Sequence, residues 1–432
     1  MAHDRARLNP GARRGGALTA VAAALVLPVA ACSGSSGGGS GSTGGPAQLS
    51  MWTRAASSVP GKAFVDGYNA SHSTKVRLTV IPDTSYQTKV ATAAGSNSLP
   101  DLVSSDVIYM PNYTTKHLFV DITGKVNALP FKDNLAPSHL KLSTVDGKIY
   151  GVPHIVDGSA MIYNKDLFTK AGLNPAKPPR SYQQIVDDAK KITTLGGGVY
   201  GFFFAGNCPG CLAYTTMPSV WGSGGTVMND KGTTSTLDTP QIRDMLGMYR
   251  QIWADKSAPQ ASRDETGATW GNAFESGKIG MAPLGSGFVQ ALDKVPGLHY
   301  GVAPMPTKDG RGPSTFVGGD VIGIAASSKH VDAAWDFIKY TLSDKAQASV
   351  LGKSGAIPVR TDLAAAAKNP ATKAIASLIK TGQTPYSLRY GEVFNDPNGP
   401  WLAMFRQAIF KADVPGATTT AQQAADKALS AK

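Results

Sequence analysis

The chain has 432 residues, 42% of them hydrophobic and 17% charged, with a formal net charge of +12. That length exceeds a single small domain and calls for two domains or one large one. No block of five or six like charges occurs, and no basic stripe is interleaved with aromatics, which excludes a nucleic-acid-binding surface of the usual kind.

Residues 1–16 are basic and Gly-rich, with Arg5, Arg7, Arg13 and Arg14. Ala17 to Ala31, "ALTAVAAALVLPVAA", is uncharged. It is short for a bilayer span and fits the hydrophobic region of a secretory signal. The small residues Ala30 and Ala31 precede Cys32, and "SGSSGGGSGSTGGP" follows. Such a tract buries no apolar area and behaves as a flexible tether. "VAAC" resembles the lipobox of bacterial lipoproteins. The resemblance implies a signal at 1–31, lipidation of Cys32, a tether over 32–46, and anchoring on the outer face of the bacterial cytoplasmic membrane. An ordinary signal with an incidental cysteine is the plainer alternative. Gly15-Gly16 replace the hydrophobic residues that usually follow a twin-arginine pair, so the general secretory route is favoured over twin-arginine export.

From Leu49 the chain alternates strands and helices. "QLSMWT" reads as a strand, "GKAFVDGYNASH" as a helix, and "KVRLTVIP" as a strand with Val76, Leu78 and Val80 on one face. "SYQTKVATAAGS" is helical to Gly95, "PDLVSSD" is a short buried strand, and "MPNYTTKHLFVDIT" is helix then turn. The rhythm restarts after Tyr150. "SAMIYN" is a strand, "SYQQIVDDAKKITTLG" a helix capped by Ser181 and stopped by Gly196, and "VYGFFFA" a strand. "TPQIRDMLGMYRQIWADK" puts Ile242, Met245, Leu246, Tyr249 and Ile252 on one helix face. The strands "KIGMAPLGS", "HYGVAPMP" and "VIGIAAS" follow. In "HVDAAWDFIKYTLSD", Trp335, Ile338 and Leu342 read as core; "PWLAMFRQAIFKA" is amphipathic and "TTAQQAADKALSAK" a final solvated helix. The repeated βαβ order predicts an α/β fold with mainly parallel sheets flanked by helices. No 20–50-residue repeat points to a solenoid.

Cys208 and Cys211 stand in "NCPGC". Outside the cell they are expected to be oxidised, as a small loop disulfide. A redox pair is the alternative, although the flanks lack thioredoxin-like surroundings, and two cysteines make a poor zinc site. Catalytic signatures are absent: no P-loop, no G-x-S-x-G elbow, no H-E-x-x-H, no local carboxylate pair. His154 and His299 read as hydrogen-bonded structural residues. These absences make an enzyme the less favoured reading, although a carboxylate pair can still form in space, and no cofactor or metal is called for.

The stretch "VDGKIYGVPHIVDGSAMIYNKDLFTKAGLNPAKPPRSYQQIVDDAKKI" resembles the maltose-binding-protein-like family of extracellular solute-binding proteins of bacterial carbohydrate ABC importers. "LPDLV", "VWGSGGTVMND", "FESGKIGMAPLGSG", "YGVAPMP", "VGGDVIGIAASSKHVDAAWDFIKYTLSDKAQ" and "GAIPVR" follow the family order, so the likeness covers nearly all of Leu49 to Lys432. It implies two α/β lobes, 47–156 plus 304–356 and 157–303 plus 357–432, with ligand between them. Crossings are implied near Val156–Ser159 and Val302–Pro306, with a return near Ile357. It also implies a monomer that hands a sugar to ABC permease subunits; a polyol, glycerol phosphate or peptide receptor, a secreted hydrolase and an adhesin are the rivals.

A sugar offers hydroxyls for planar polar side chains and C–H patches for aromatic faces. Such groups belong at strand ends and crossings. Asp157 sits where the family places an acidic ligand residue, at the first crossing. Asp106 follows the "PDLVSS" strand; Trp52 and Arg54 end the first strand, with core packing the rival for Trp52. Tyr214 and Trp221 divide between stacking and core. Gly319 and Asp320 open a strand after a loop. Arg389 and Trp401 stand where the family often supplies a polar or aromatic contact. Gly287 replaces a frequent family Trp, with Phe288 beside it as the substitute, which argues against long maltodextrins.

Overall fold

A computed structural model describes residues 48–312, 314–348, 355–367 and 369–431. The expected signal, Cys32 and the tether lie outside the described residues.

The sheet is built from β1 (Gln48–Arg54), β2 (Lys75–Ile81), β3 (Leu102–Asp106), β6 (Val152–Asn164), β7 (Tyr200–Phe202), β8 (Ile279–Gly285), β9 (Tyr300–Ala303) and β10 (Val317–Ile324). A separate hairpin joins β4 (Thr144–Val145) to β5 (Lys148–Ile149). The strand order is β2-β1-β3-β10-β6-β8-β7, with β9 also on β6. β1–β2, β1–β3 and β7–β8 pair in parallel, as βαβ units require. The central partners of β10 and β6 are antiparallel, so the sheet is mixed where mainly parallel pairing was expected.

Local sequence explains the elements. β1 alternates, with Leu49, Met51 and Thr53 inward. The helix Ser58–Ser71 buries Phe64, Val65 and Tyr68, and Tyr68 meets Phe337 of the helix Val331–Leu342 edge-on at 5.2 Å. The helix Tyr182–Thr193 starts with a capping box between Ser181 and Gln184 and is followed by Gly196 at φ 68°. Ile242, Met245, Leu246, Tyr249 and Ile252 of the helix Pro240–Ala254 are all buried, and Tyr249 packs on Phe405 at 5.2 Å. The last helix, Val414–Ser430, begins earlier than expected and is not fully solvated. It buries Ala417, Thr418, Ala421 and Ala425 against the helix Pro400–Phe410.

β6 is the pivot. Its first half, up to Gly158, pairs with β10; from Ser159 it pairs with β8, and from Met161 with β9. The switch falls within the segment expected to cross. Of its thirteen residues only Asp157 is not buried. The second connection comes later than Val302–Pro306. The Thr307 N–H donates to the Arg180 carbonyl and Thr307's carbonyl accepts from Tyr182, each at 3.0 Å, so residues 307–312 stay with the second half of the sheet. The chain passes over at Thr315–Val317, where Phe316 N–H donates to Ser159 Oγ at 3.0 Å. Ile357–Asp362 also remains with the first half: Val359 accepts from Ala136 N–H at 2.9 Å, and Arg360 pairs with Asp344 and Asp362. Hydrophobic pattern marked the strands but not these excursions between them.

Candidate functional site

Beside the pivot lies a cleft of about 720 Å³. Arg54, Asp83, Asp106 and Ile108 line it from the β1–β3 side, and Asp157 from β6. Tyr214, Trp270, Ser286 and Phe288 line it from the second half, and Tyr390 and Asn395 from the C-terminal segment.

β1 and β3 are parallel, so Arg54 and Asp106 finish at one edge. Asp106 caps the turn Val107–Tyr109, accepting from Ile108 N–H at 3.3 Å. Arg54 Nε donates to Asp320 at 2.6 Å, and its guanidinium stands 3.2 Å from Asp106 and 3.6 Å from Asp83. Asp320 is fully buried behind it and also accepts from Ser104 Oγ at 3.1 Å. Burial opposes the Arg54 charge, but Asp106 and Asp320 outweigh it and raise its pKa. Burial, reinforced by Asp320 and opposed by Arg54, pushes Asp106 up to about 6.

Asp157 faces Ser286, whose Oγ donates to the carboxylate. Burial raises the Asp157 pKa, against the Ser286 hydrogen bond that lowers it. Burial first, then the adjacent Asp157 charge, holds the Tyr214 phenol well above its ordinary value. Gly285 leaves the room this contact needs, since a Cβ there would lie 3.0 Å from both Asp157 Oδ2 and the Tyr214 hydroxyl. Trp270 and Phe288 meet edge-on at 5.3 Å, and Trp270 Nε1 is buried without a hydrogen-bond partner. Cys208 and Cys211 are disulfide-bonded and line the same cleft. The expected bridge is thus present, and it sits at a helix start, where Cys208 caps the helix Pro209–Gly222.

Arg54, Asp106, Asp157, Tyr214 and Gly319 therefore converge on the cleft. Gly319 is irreplaceable on steric grounds, with φ 106° and a hypothetical Cβ 2.1 Å from the Ile155 carbonyl oxygen. The other expected residues lie outside the lining. Asp320 anchors Arg54 from behind. Trp52 is half-buried on the side of β1 with Lys89 Nζ 5.0 Å from its ring. Trp221 packs on Phe316 at 5.8 Å. Arg389 pairs with Glu392 and donates to the Ala431 carbonyl at 2.6 Å. Trp401 has no exposure and packs on Phe394 at 5.4 Å, so it is core. His154 is buried, with burial lowering its pKa to about 4, but neither ring nitrogen has the hydrogen-bond partner expected of it, whereas His299 is exposed and has one in Asp166. Trp270, Ser286, Tyr390 and Asn395 were not anticipated. Ser286 directly follows β8, a strand end that the sequence did show, whereas Trp270 opens the short helix Trp270–Glu275, and Tyr390 precedes and Asn395 ends the helical turn Gly391–Asn395, where no strand end marks them.

The model of the bacterial extracellular solute-binding protein family matches residues 55–348, and the chain belongs to that family. A binding protein of Brucella abortus (strain 2308) is 30% identical over 270 residues, 62% of this chain and 64% of that protein's length. The diacetylchitobiose binding protein DasA of Streptomyces coelicolor is 28% identical over 415 residues, 91% of this chain and 93% of the relative. An ABC transporter solute binding protein of Thermotoga lettingae, solved with alpha-D-tagatose, has the same two-lobed fold: TM-score 0.77, 21% identity, covering 89% of this chain and all of the other. Among the described residues no helix is long and apolar enough to cross a membrane.

Proposed function

We propose that this protein captures a short saccharide in the cleft and delivers it to an ABC permease. The lining carries the reading: carboxylates at Asp106 and Asp157 beside the aromatic faces of Trp270 and Phe288. Carboxylates accept strong hydrogen bonds from hydroxyls, and aromatic faces cover sugar C–H patches. Among the described residues, Arg54 is the one cation of the lining, and it is already tied to aspartates. A phosphate ester would meet net negative charge, which disfavours the glycerol phosphate alternative. DasA's ligand makes diacetylchitobiose the first probe. Binding is the whole chemistry: no bond of the solute is broken, and no cofactor takes part.

The switch of partners along β6 supports a hinge. A solute touching Asp106 on one side and Tyr214 on the other binds the closed form better and shifts the population toward it. The closed form docks on the permease, and Cys32, as a lipidated residue, holds the monomeric receptor at the outer membrane face. The test is thermal unfolding with diacetylchitobiose, tagatose, maltose and glycerol 3-phosphate. A ligand at about 100 times its Kd adds about 2.7 kcal/mol. A shift with a saccharide and none with glycerol 3-phosphate is expected; the reverse pattern refutes the sugar assignment, and saccharide turnover refutes pure binding.

A further inference from the structure

We infer that the Cys208–Cys211 disulfide positions the ligand-contacting wall of the cleft, and that its reduction switches the receptor to a weak-binding form. The inference rests on the cleft being the solute site. Both cysteines line that cleft, and the bridge closes the first turn of one of its elements while a second packs against it.

The first is the helix Pro209–Gly222. Cys208 is its N-cap, with Sγ accepting from Cys211 N–H at 3.2 Å, and Pro209 opens the first turn. Tyr214 stands one turn beyond Cys211, against Asp157. The second is the turn before Trp270. Gly267, at φ 96°, lies flat on the bridge, and a Cβ there would fall 2.9 Å from Cys211 Sγ and 3.0 Å from Cys208 Sγ. Glu265 fixes that turn, accepting from Gly267 N–H at 2.7 Å, from Thr269 N–H at 3.1 Å and from the Thr269 hydroxyl. Asn207 N–H, beside Cys208, donates to the Glu265 carbonyl at 2.9 Å. Tyr214 is thus set by the bridged helix turn, and Trp270 by the turn packed upon the bridge.

A dithiol reductant opens the bridge. One thiolate attacks a cysteine sulfur, the other cysteine leaves as thiolate, and the second reductant thiol closes a ring. Two electrons and two protons end on Cys208 and Cys211, and the reductant becomes a cyclic disulfide. The helix N-terminus stabilises a thiolate at Cys208, which favours opening. Two unbonded sulfurs then require van der Waals separation where Gly267 leaves none. The turn and the first helical turn move apart, and Tyr214 and Trp270 lose their fixed placement.

The experiment compares the oxidised full chain, the same chain reduced with dithiothreitol, and Cys208→Ser/Cys211→Ser. Hydrogen exchange is read over 206–215 and 265–271, and diacetylchitobiose is titrated calorimetrically. Exchange rises in both segments and Kd rises at least about tenfold on reduction, and the double serine variant behaves as reduced whatever the dithiol. Tyr214→Phe weakens binding in the oxidised chain and has little further effect in the double serine background; a purely structural staple gives the same fold-change in both. Unchanged exchange, unchanged Kd, or additive effects of Tyr214→Phe each overturn the inference. If the oxidised chain binds no saccharide, the sugar reading fails, and the exchange arm still decides whether the staple sets the wall.

Discussion

Asp157→Asn isolates the carboxylate at the pivot. Asparagine keeps the shape and an oxygen that accepts from Ser286, so the wall stays in place. What disappears is the charge offered to a sugar hydroxyl. A hydrogen bond to a charged group contributes about 1.5–3 kcal/mol. At about 1.4 kcal/mol per tenfold, Kd rises about 10- to 100-fold. Stability moves the other way. Burial raises the Asp157 pKa, so the folded state holds its proton more tightly than the unfolded chain. Ionisation at neutral pH therefore costs stability in the wild type, and the asparagine removes that cost. The variant melts no lower than wild type at pH 7, and its advantage shrinks as pH falls through the ordinary carboxylate range. Calorimetric titration and melting curves measure both. A Kd within twofold of wild type, or a lower melting point at pH 7 that recovers in acid, refutes the reasoning.

The same linkage applies to Asp106, raised to about 6 by burial. Asp106→Asn gains stability relative to wild type between about pH 4 and 6, as the wild-type carboxylate ionises, in melts across that window. Gly319→Ala forces a Cβ into the Ile155 carbonyl at positive φ; a loss of at least about 2 kcal/mol in urea unfolding is expected. Trp401→Ala empties a fully buried site and costs about 3–5 kcal/mol of stability, while Trp270→Ala lowers sugar affinity about threefold to tenfold with a smaller stability change. Cys32→Ala moves the protein from the membrane to the soluble fraction in cell fractionation.

Strands and amphipathic helices were legible because their apolar periods are local. Ile242 to Ile252 reads as one face in sequence and is one face in the fold. The helix Pro209–Gly222 escaped because eight of its residues are buried, with Pro218 inside, so no single stripe marks it. The candidate site was legible where it sits on regular structure: Arg54 and Asp106 close parallel strands, and Asp157 occupies the crossing. Trp401 shows the limit. Its helix has an apolar face, but sequence does not say whether that face meets a cleft or the core. Trp270, Tyr390 and Asn395 come together only through tertiary contacts between segments distant in sequence, for which one sequence carries no spacing signal.

The most direct test is a crystal structure of the oxidised protein grown with the saccharide that shifts its melting. The sugar is predicted in the cleft, with hydroxyls within hydrogen-bond reach of Asp106 and Asp157 and a ring face on Trp270 or Phe288. A sugar bound elsewhere, or an anion paired with Arg54 in its place, contradicts the assignment.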